Sequence, residues 1–302
     1  MPHNLIAIIG ATASGKTTAA VEVAKQFNGE IISADSRQVY RGLDLGSGKD
    51  LHEYGDIPYH LIDIIEPTEA FDLFKYQQQF YSAFADLQKR NKLAIMCGGS
   101  SLYINSILSG YQLTPAPPDS TLHNELEQYS KQQLQSKLLA LKPNQHNITD
   151  LEDPARLIRA IEIAIAEQQT GQPMIAAPNL TPLVIAITWP REVRRERIML
   201  RLKQRFEEGM IDEVRSLHDK GVSWQQLEYF GLEYRFIAQH LQDQISYNDL
   251  VQKLHSAIVK FAKKQDTWLR KMEREGIKIH WIEGGPSQTK SVLQIITDYS
   301  NL

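Results

Sequence analysis

The stretch Gly10-Ala11-Thr12-Ala13-Ser14-Gly15-Lys16-Thr17 decides how this chain is read. It fits G-x-x-x-x-G-K-[ST], the P-loop, whose backbone N–H groups and lysine cradle a phosphate. Leu5-Ile6-Ala7-Ile8-Ile9 precedes it, an apolar run of the kind that fills a parallel strand buried on both faces. Residues 17–27 follow, with Ala20, Val21, Val23, Ala24 and Phe27 spaced for a helix and no Gly or Pro. Strand, loop and helix is the context the motif needs, and a glycine-rich turn that merely mimics it would lack both flanks. All eight residues are therefore read as a diphosphate- or nucleotide-binding loop at a helix N-terminus. Lys16 adds a full positive charge, and the Thr17 hydroxyl is placed for a magnesium ion.

Outward from the loop, strand-like and helix-like segments alternate. Glu30-Ile-Ile-Ser-Ala-Asp35 reads as a second strand that runs into Ser36-Arg37-Gln38-Val39-Tyr40. A polar connection over 41–55 carries Gly42, Gly46 and Gly48, and His60-Leu-Ile-Asp-Ile-Ile65 reads as a third strand. The spacing of Phe74, Tyr76, Phe80, Tyr81, Phe84 and Leu87 predicts an amphipathic helix over 70–91. Leu93-Ala-Ile-Met-Cys97 is a fourth strand, followed by Gly98-Gly99-Ser100-Ser101 and a short helix over 102–108. This order predicts an α/β fold, a P-loop NTPase-like parallel sheet flanked by helices.

The composition changes at Thr114-Pro-Ala-Pro-Pro118, a stiff linker. Residues 119–177 are Gln- and Leu-rich and read as helical, with Asp153-Pro154 as N-cap and first-turn proline of a helix that stops near Gly171 and Pro173. Leu183-Val-Ile-Ala-Ile-Thr-Trp189 returns to the strand pattern. Residues 115–182 are thus an inserted helical domain, and 1–114 with 183–302 form one catalytic core. Beyond Pro190 the pattern is helical to Gly276, with a last strand at Ile277-Lys-Ile-His-Trp-Ile282. Arg197, Arg201 and Arg205 recur every fourth residue on one helix face. Such a row is usually solvated, but it gains value directly after a strand of a phosphate-binding sheet.

A chain of 302 residues with 42% hydrophobic and 23% charged content has the balance of a soluble globular protein. No apolar stretch approaches the roughly 20 residues that span a bilayer. The P-loop strand begins too early for a signal peptide. The single cysteine, Cys97, excludes an intramolecular disulfide and a cysteine-rich zinc site, and at the end of an apolar run it reads as a small buried residue. The expectation is a cytoplasmic monomer without membrane attachment. A net charge of −3 advertises no general affinity for nucleic acid. Yet residues 253–274 hold seven Lys or Arg against Asp266 and Glu273, a pattern shared by an RNA footprint and a solvated helix face.

The P-loop, Asp35 and the Gly98–Ser101 turn converge at the carboxyl ends of the first, second and fourth strands, where open parallel sheets bind ligands. Asp35 is placed to act as a base near the phosphates, or as an N-cap or magnesium partner. Phosphate binding alone does not name a reaction, although the absence of a guanine-reading N-K-x-D argues against a GTPase.

At this point the residues resemble the tRNA dimethylallyltransferase (tRNA isopentenyltransferase) family. The P-loop is joined by Asp35-Ser36-Arg37-Gln38-Val39-Tyr40 for D-S-x-Q-V-Y and His60-Leu-Ile-Asp63 for H-L-I-D. Gly98-Gly99-Ser100-Ser101-Leu102-Tyr103 stands for G-G-T-x-L-Y, and the run from Asp153 to Glu162 for D-P-Q-R-L-x-R-A-L-E. Ala262-Lys263-Lys264-Gln265-Asp266-Thr267-Trp268-Leu269-Arg270 matches A-K-R-Q-x-T-W-F/L-R. The resemblance implies transfer of a dimethylallyl group from dimethylallyl diphosphate to the exocyclic amine of an adenosine beside the tRNA anticodon. It implies that Lys16, Thr17 and Mg²⁺ stabilise the leaving diphosphate, with Arg201 or Arg205 assisting, and that Asp35 is the base. Ser100 keeps the hydroxyl of the family's threonine. Asp35, Ser36, Arg37, Gln38, Ser100, Asp119, Arg156, Arg159, Lys263, Lys264, Gln265, Thr267, Trp268 and Arg270 match tRNA-contacting positions. The inserted domain is implied to close on the anticodon arm while the base enters a channel from the side opposite the diphosphate.

The chain also departs from the pattern. Gly231-Leu232-Glu233-Tyr234 stands where the family has G-Y-[KR]-[EQ], losing a basic residue, and Lys264 replaces an arginine. No Cys/His zinc finger of the eukaryotic relatives occurs in the sequence, which implies a bacterial-type member. Three other readings share parts of this signature: a prenyltransferase of free adenine nucleotides, a small-molecule P-loop kinase, and an RNA-binding protein with a vestigial P-loop. The insertion and the 262–270 segment favour tRNA over free nucleotides; little beyond the P-loop supports a kinase; intact Lys16, Thr17 and Asp35 argue against a vestigial site.

Overall fold

Six consecutive buried residues, Leu5–Gly10, make β1, and apolar side chains on both of its faces put it inside a sheet rather than at an edge. The computed structural model describes residues 2–116, 119–143, 153–170 and 177–300. Five further strands are β2 (Gly29–Ala34), β3 (Tyr59–His60), β4 (Leu93–Gly98), β5 (Pro182–Thr188) and β6 (Ile279–Glu283). All pair in parallel in the order β3-β2-β4-β1-β5-β6. The register sets Ile9 opposite Gly98, Gly98 opposite Ala34, and Gly10 opposite Ile187. The carboxyl ends of β1, β2 and β4 therefore lie level, and the loops that leave them meet.

Helices cover both faces, as the burial of every strand centre requires. On one side α1 (Lys16–Gln26) and α12 (Gln288–Ser300) bring Ala20, Val23, Val292 and Ile296 onto Ile6, Ile8, Ile31 and Ile185. On the other, α2 (Leu73–Lys89) packs on β2 and β4 and against α3 (Ser101–Leu108). The chain after β5 forms α7 (Arg191–Glu207), α8 (Met210–Asp219), α9 (Trp224–Tyr229), α10 (Leu232–Leu241) and α11 (Tyr247–Arg274). Their apolar faces close over Val39, Tyr40 and Leu43, the segment that follows β2. A second core thus forms directly behind the loops at the sheet's carboxyl edge.

The chain divides into two compact units, 1–110 with 178–302 and 111–177. The second holds α4 (Ser120–Glu127), α5 (Lys131–Leu141) and α6 (Pro154–Thr170), which bury Leu126, Leu134, Leu138, Leu157, Ile158 and Ile161 together. Ser130 and Gln133 form a capping box at the start of α5, and the Asp153 carboxylate accepts from Ala155 N at 2.9 Å ahead of Pro154. Its limits fall four to five residues before the expected 115–182. Pro117 and Pro118 of the linker, and Gly171 and Pro173 at the expected helix end, lie outside the described residues.

One expectation fails. The strand foreseen over 60–65 is limited to Tyr59–His60, because Leu61 and Asp63 take left-handed backbone angles (φ 62° and 55°) and turn the chain. The cause is Lys49, 1% exposed, whose ammonium donates to Tyr40 O (2.8 Å) and pairs with Asp44 (2.6 Å) and Asp63. A buried ammonium needs such partners, and the turn delivers one.

Candidate active site

The P-loop leaves β1 and reaches α1 through two left-handed residues, Ala13 (φ 60°) and Gly15 (φ 81°). A Cβ on Gly15 would also press on the Gln288 amide at 2.5 Å, so glycine is required there on both counts. Five side chains fasten the loop from outside. Gln265 accepts from Thr12 N (3.0 Å), Arg197 donates to Ala13 O (3.0 Å), Trp189 to Ser14 O (3.1 Å) and Gln288 to Gly15 O (3.1 Å). Arg201 donates to the Thr12 hydroxyl. Three of these bonds satisfy loop carbonyls and the other two hold Thr12, which leaves the Lys16 end of α1 facing open space.

Beside the loop, the turn after β4 is bound to the turn after β2. Ser100 N donates to Ala34 O (3.1 Å), and Ser36 N donates to the Ser100 hydroxyl (2.9 Å). A Cβ on Gly98 would run into the Ala34 carbonyl, so the close approach of the two strand ends depends on glycine. Asp35 sits one residue beyond β2, with one carboxylate oxygen accepting from Arg37 N at 2.9 Å. Gln38 accepts from Ser33 (2.8 Å) and donates to Gly48 O (2.9 Å), drawing the 46–48 loop to the same place.

Together these elements enclose a cavity of about 250 Å³. Thr12, Lys16, Thr17, Asp35, Ser36, Arg37, Gln38, Ser100, Arg201, Arg205 and Gln265, all expected from the sequence, line it. A second cavity of about 240 Å³ opens on the other side of the loop, lined by Ala13, Ser14, Gly15 and Arg197. Lys16, Thr17, Asp50 and Arg201 belong to both walls. Gly10 and Ala11 shape the loop's exit from β1 without lining either space.

The arginine row on α7 faces inward. Arg205 is 4% exposed and pairs with Asp50 at 3.0 Å, while Arg197 and Arg201 bond the P-loop itself. Burial lowers the Lys16 ammonium below its ordinary value. Burial, reinforced by Arg205, lowers Arg201 to about 10. Cations held in poorly hydrated positions without full carboxylate compensation are stabilised when an anion arrives. Burial pushes the Cys97 thiol up to about 11, so this residue is packing and not a nucleophile at neutral pH.

The residues around Thr17 suit a hard cation: its hydroxyl and the Asp35 and Asp50 carboxylates share the larger cavity. Among the described residues no group of three or more His, Cys, Asp or Glu is placed to hold a metal alone. Magnesium would therefore bind there only with phosphate oxygens and water completing its shell.

The other expected contact residues are spread more widely. Lys263, Lys264, Thr267 and Arg270 are exposed on α11, with Arg270 over the Trp281 ring (5.2 Å) and Lys271 over Trp268 (5.0 Å). Gln265 lies on the opposite face of that helix, 6% exposed, with its amide also donating to Gly99 O at 2.8 Å. In the second unit, Asp119 caps α4 (Thr121 N at 3.0 Å, Leu122 N at 3.1 Å). Arg156 is exposed there, and Arg159 pairs with Glu162 (3.0 Å) and donates to Ala116 O (2.9 Å). Sequence reasoning missed Asp50, Gly46–Gly48, Glu233 and Phe261 as cavity walls. The paired glycines of the 41–55 connection were the one available signal.

Comparison with known proteins gives a consistent result. Residues 38–272 match the IPP transferase family and residues 3–56 the isopentenyl transferase family. The chain is 50% identical over 295 residues to tRNA dimethylallyltransferase 2 of Syntrophotalea carbinolica, covering 98% of this chain and 99% of that protein. It is 51% identical over 293 residues to tRNA dimethylallyltransferase 2 of Citrifermentans bemidjiense, covering 97% and 95%. The crystal structure of the tRNA isopentenylpyrophosphate transferase of Bacillus halodurans superposes with TM-score 0.71 at 31% identity, covering 99% of this chain and 96% of that one. A eukaryotic dimethylallyltransferase crystallised acting on tRNA shares the fold, with TM-score 0.81 at 19% identity and 98% and 79% coverage.

Proposed function

The chain belongs to the tRNA dimethylallyltransferase family, and from that membership and the site's geometry we propose that it transfers a dimethylallyl group from dimethylallyl diphosphate to the exocyclic N6 amine of the adenosine next to the tRNA anticodon, releasing diphosphate. The observation that carries the reading is one carboxylate, Asp35, sharing a cavity with Lys16, Thr17, Arg201, Arg205 and the end of the P-loop. An adenine amine is a weak nucleophile because its lone pair is delocalised into the ring. Its attack needs help at both ends of the bond change.

The P-loop amides and Lys16 receive the diphosphate, and Arg201 and Arg205 balance the charge that develops as the C–O bond breaks. Magnesium, held by Thr17 with Asp35 or Asp50 at its edge, would supply Lewis-acid neutralisation of that same charge. The N6 lone pair forms the new C–N bond and Asp35 takes the amine proton, a positioned transfer that contributes about 10²–10⁴-fold. The carboxylate oxygen bonded to Arg37 N fixes the orientation of the other. Two cavities meeting at Lys16, Thr17, Asp50 and Arg201 supply separate approaches for diphosphate and base, so the adenosine leaves its stack to enter. The exposed basic positions Lys263, Lys264 and Arg270, with Arg156 of the inserted unit, are the contacts offered to the anticodon arm. Among the described residues no helix is long and apolar enough to cross a membrane, and we place the enzyme in the cytoplasm as a monomer.

Incubation with labelled dimethylallyl diphosphate and either unmodified tRNA or adenosine monophosphate, followed by mass spectrometry of the nucleosides, tests the reading. Label is expected in tRNA adenosine. Label only in the free nucleotide, or phosphorylation from ATP in its place, would refute it.

A further inference from the structure

The mouth of the larger cavity carries a group of side chains with no part in the chemistry above. Arg37 lines the cavity and rests its guanidinium over the Tyr229 ring at 5.2 Å. Among the described residues no carboxylate lies within ion-pairing distance of that guanidinium, unlike Arg205 and Arg194, which each have an aspartate. Tyr229, the last residue of α9, is 61% exposed and packs edge-on against Phe230, another wall of the cavity (6.3 Å). Phe261 on α11 also lines the cavity and is 46% exposed, one turn before Gln265 and next to the Lys263–Lys264 pair.

Tyr229 and Phe261 present large, partly exposed ring faces beside this cavity, surface that a planar ligand would cover. The occupant can be named from its chemistry. It must present flat π-faces to Tyr229 and Phe261, tolerate or favour an uncompensated cation at Arg37, and arrive beside the Lys263–Lys264 charges. Nucleobases on a phosphate backbone meet all three conditions, since bases splayed out of a loop stack on aromatic side chains and on arginine planes.

Resting on the tRNA reading above, we propose that the Arg37–Tyr229 pair and Phe261 form a base-stacking rim that holds the nucleotides flanking the extruded adenosine. Extruding a base interrupts the stack on both of its sides, and the flanking faces then need new partners. The rim supplies them where the target base enters. It extends the cavity that takes the adenine outward to Tyr229, apart from the phosphate contacts of α11, and it reads π-surface, not base identity.

The test uses the full-length protein, tRNA, and an anticodon stem-loop with 2-aminopurine on the 3′ side of the target adenosine. Tyr229→Ala and Phe261→Ala are each expected to raise KM for tRNA about tenfold, a typical loss for one stacked base. For Tyr229→Ala, whose ring lies outside the cavity wall, kcat and KM for dimethylallyl diphosphate should stay within about twofold of the parent. Tyr229→Phe should restore the tRNA KM, because the ring rather than the hydroxyl does the stacking. The probe's fluorescence should be quenched on the parent protein and recover on Tyr229→Ala. Unchanged KM and quenching in both alanine variants, with the parent still modifying tRNA, would overturn the rim. A parent protein that modifies no tRNA would overturn the tRNA reading itself.

Discussion

Gln265 is the residue whose replacement should report most directly on how the site is held. Its amide bridges two loops from different strands, accepting from Thr12 N (3.0 Å) and donating to Gly99 O (2.8 Å), at 6% exposure. Gln265→Leu keeps the volume but orphans a part-buried N–H and a buried C=O. At about 1–3 kcal/mol for each unsatisfied group, with partial relaxation, the loss is about 2–4 kcal/mol. At roughly 2–4 °C per kcal/mol for a unit of this size, Tm should fall by roughly 4–16 °C. Activity should suffer separately, because the P-loop and the Ser100 turn are no longer locked together: a displacement of about 1 Å can cost 10²-fold in kcat/KM. Differential scanning calorimetry and steady-state transfer to tRNA below the lowered Tm measure the two effects. Gln265→Glu separates them further. It still accepts from Thr12 N but turns a carboxylate toward the Gly99 carbonyl and adds negative charge beside an anion site, so donor KM should rise more than in Gln265→Leu. A Tm within 1 °C of the parent together with unchanged kcat/KM would refute the bridge.

Asp35→Asn keeps an oxygen for Arg37 N, so the turn should survive while the base is lost. Single-turnover transfer should slow by about 10²–10⁴-fold with tRNA affinity nearly intact, and an equal collapse of binding would make Asp35 structural. Lys263→Ala with Arg270→Ala should weaken tRNA binding and flatten its dependence on log salt by about one unit per lost phosphate contact, as read by filter binding; an unchanged slope would remove this face of α11 from the footprint. Glu30, 4% exposed, is held down to about 2 by Arg90 and then His60, far from the site. The unfolded chain titrates near the ordinary 4.5, so the ionised pair stabilises the fold above that pH and the benefit disappears as pH falls from about 4.5 to about 2. The unfolding free-energy gap between the parent and Glu30→Gln, read by denaturant titration, should be widest near neutrality, at most about 3 kcal/mol by linkage, and close on acidification, with kcat at neutral pH matching the parent's; a gap independent of pH would contradict it.

The parts of this protein legible in sequence were those where one local pattern has one physical outcome. An apolar run, two glycines and a Lys-Thr pair give strand, loop and helix without help from the rest of the chain, and the four-residue spacing of Arg197, Arg201 and Arg205 shows that they share a face. Which way that face points was not legible. It turns inward because Ala13 O, the Thr12 hydroxyl and Asp50 await the three guanidinium groups, and those partners lie far away in sequence. The 60–65 segment failed for a similar reason: its alternation suits a strand, but the demand of buried Lys49 for Asp63 overrides local preference. Gln265 likewise sits among lysines and reads as part of a basic RNA face, although the helix turns it toward the P-loop.

The same logic bears on Gly231–Tyr234. On sequence alone Gly231-Leu232-Glu233-Tyr234 reads as short of a basic residue, and so as a weakened channel. In the structure Leu232 and Glu233 line the cavity, and Tyr234 is buried with its hydroxyl donating to Glu213 at 2.8 Å. Glu213 in turn gathers the N–H groups of Asp44 (3.2 Å), Leu45 (2.6 Å) and Gly46 (3.1 Å). Those residues lead into the Gly46–Gly48 wall, which Gln38 holds from the other side and behind which Asp50 meets Arg205. Burial raises the Glu233 carboxyl above its ordinary value, which moderates the charge it sets against the nearby Arg201 and Arg205. Gly231–Tyr234 therefore sets Leu232 and Glu233 in the cavity wall and an anchor, Tyr234, beneath it. The positive charge needed for an anion remains with Lys16, Arg201 and Arg205, whose placement that anchored loop maintains.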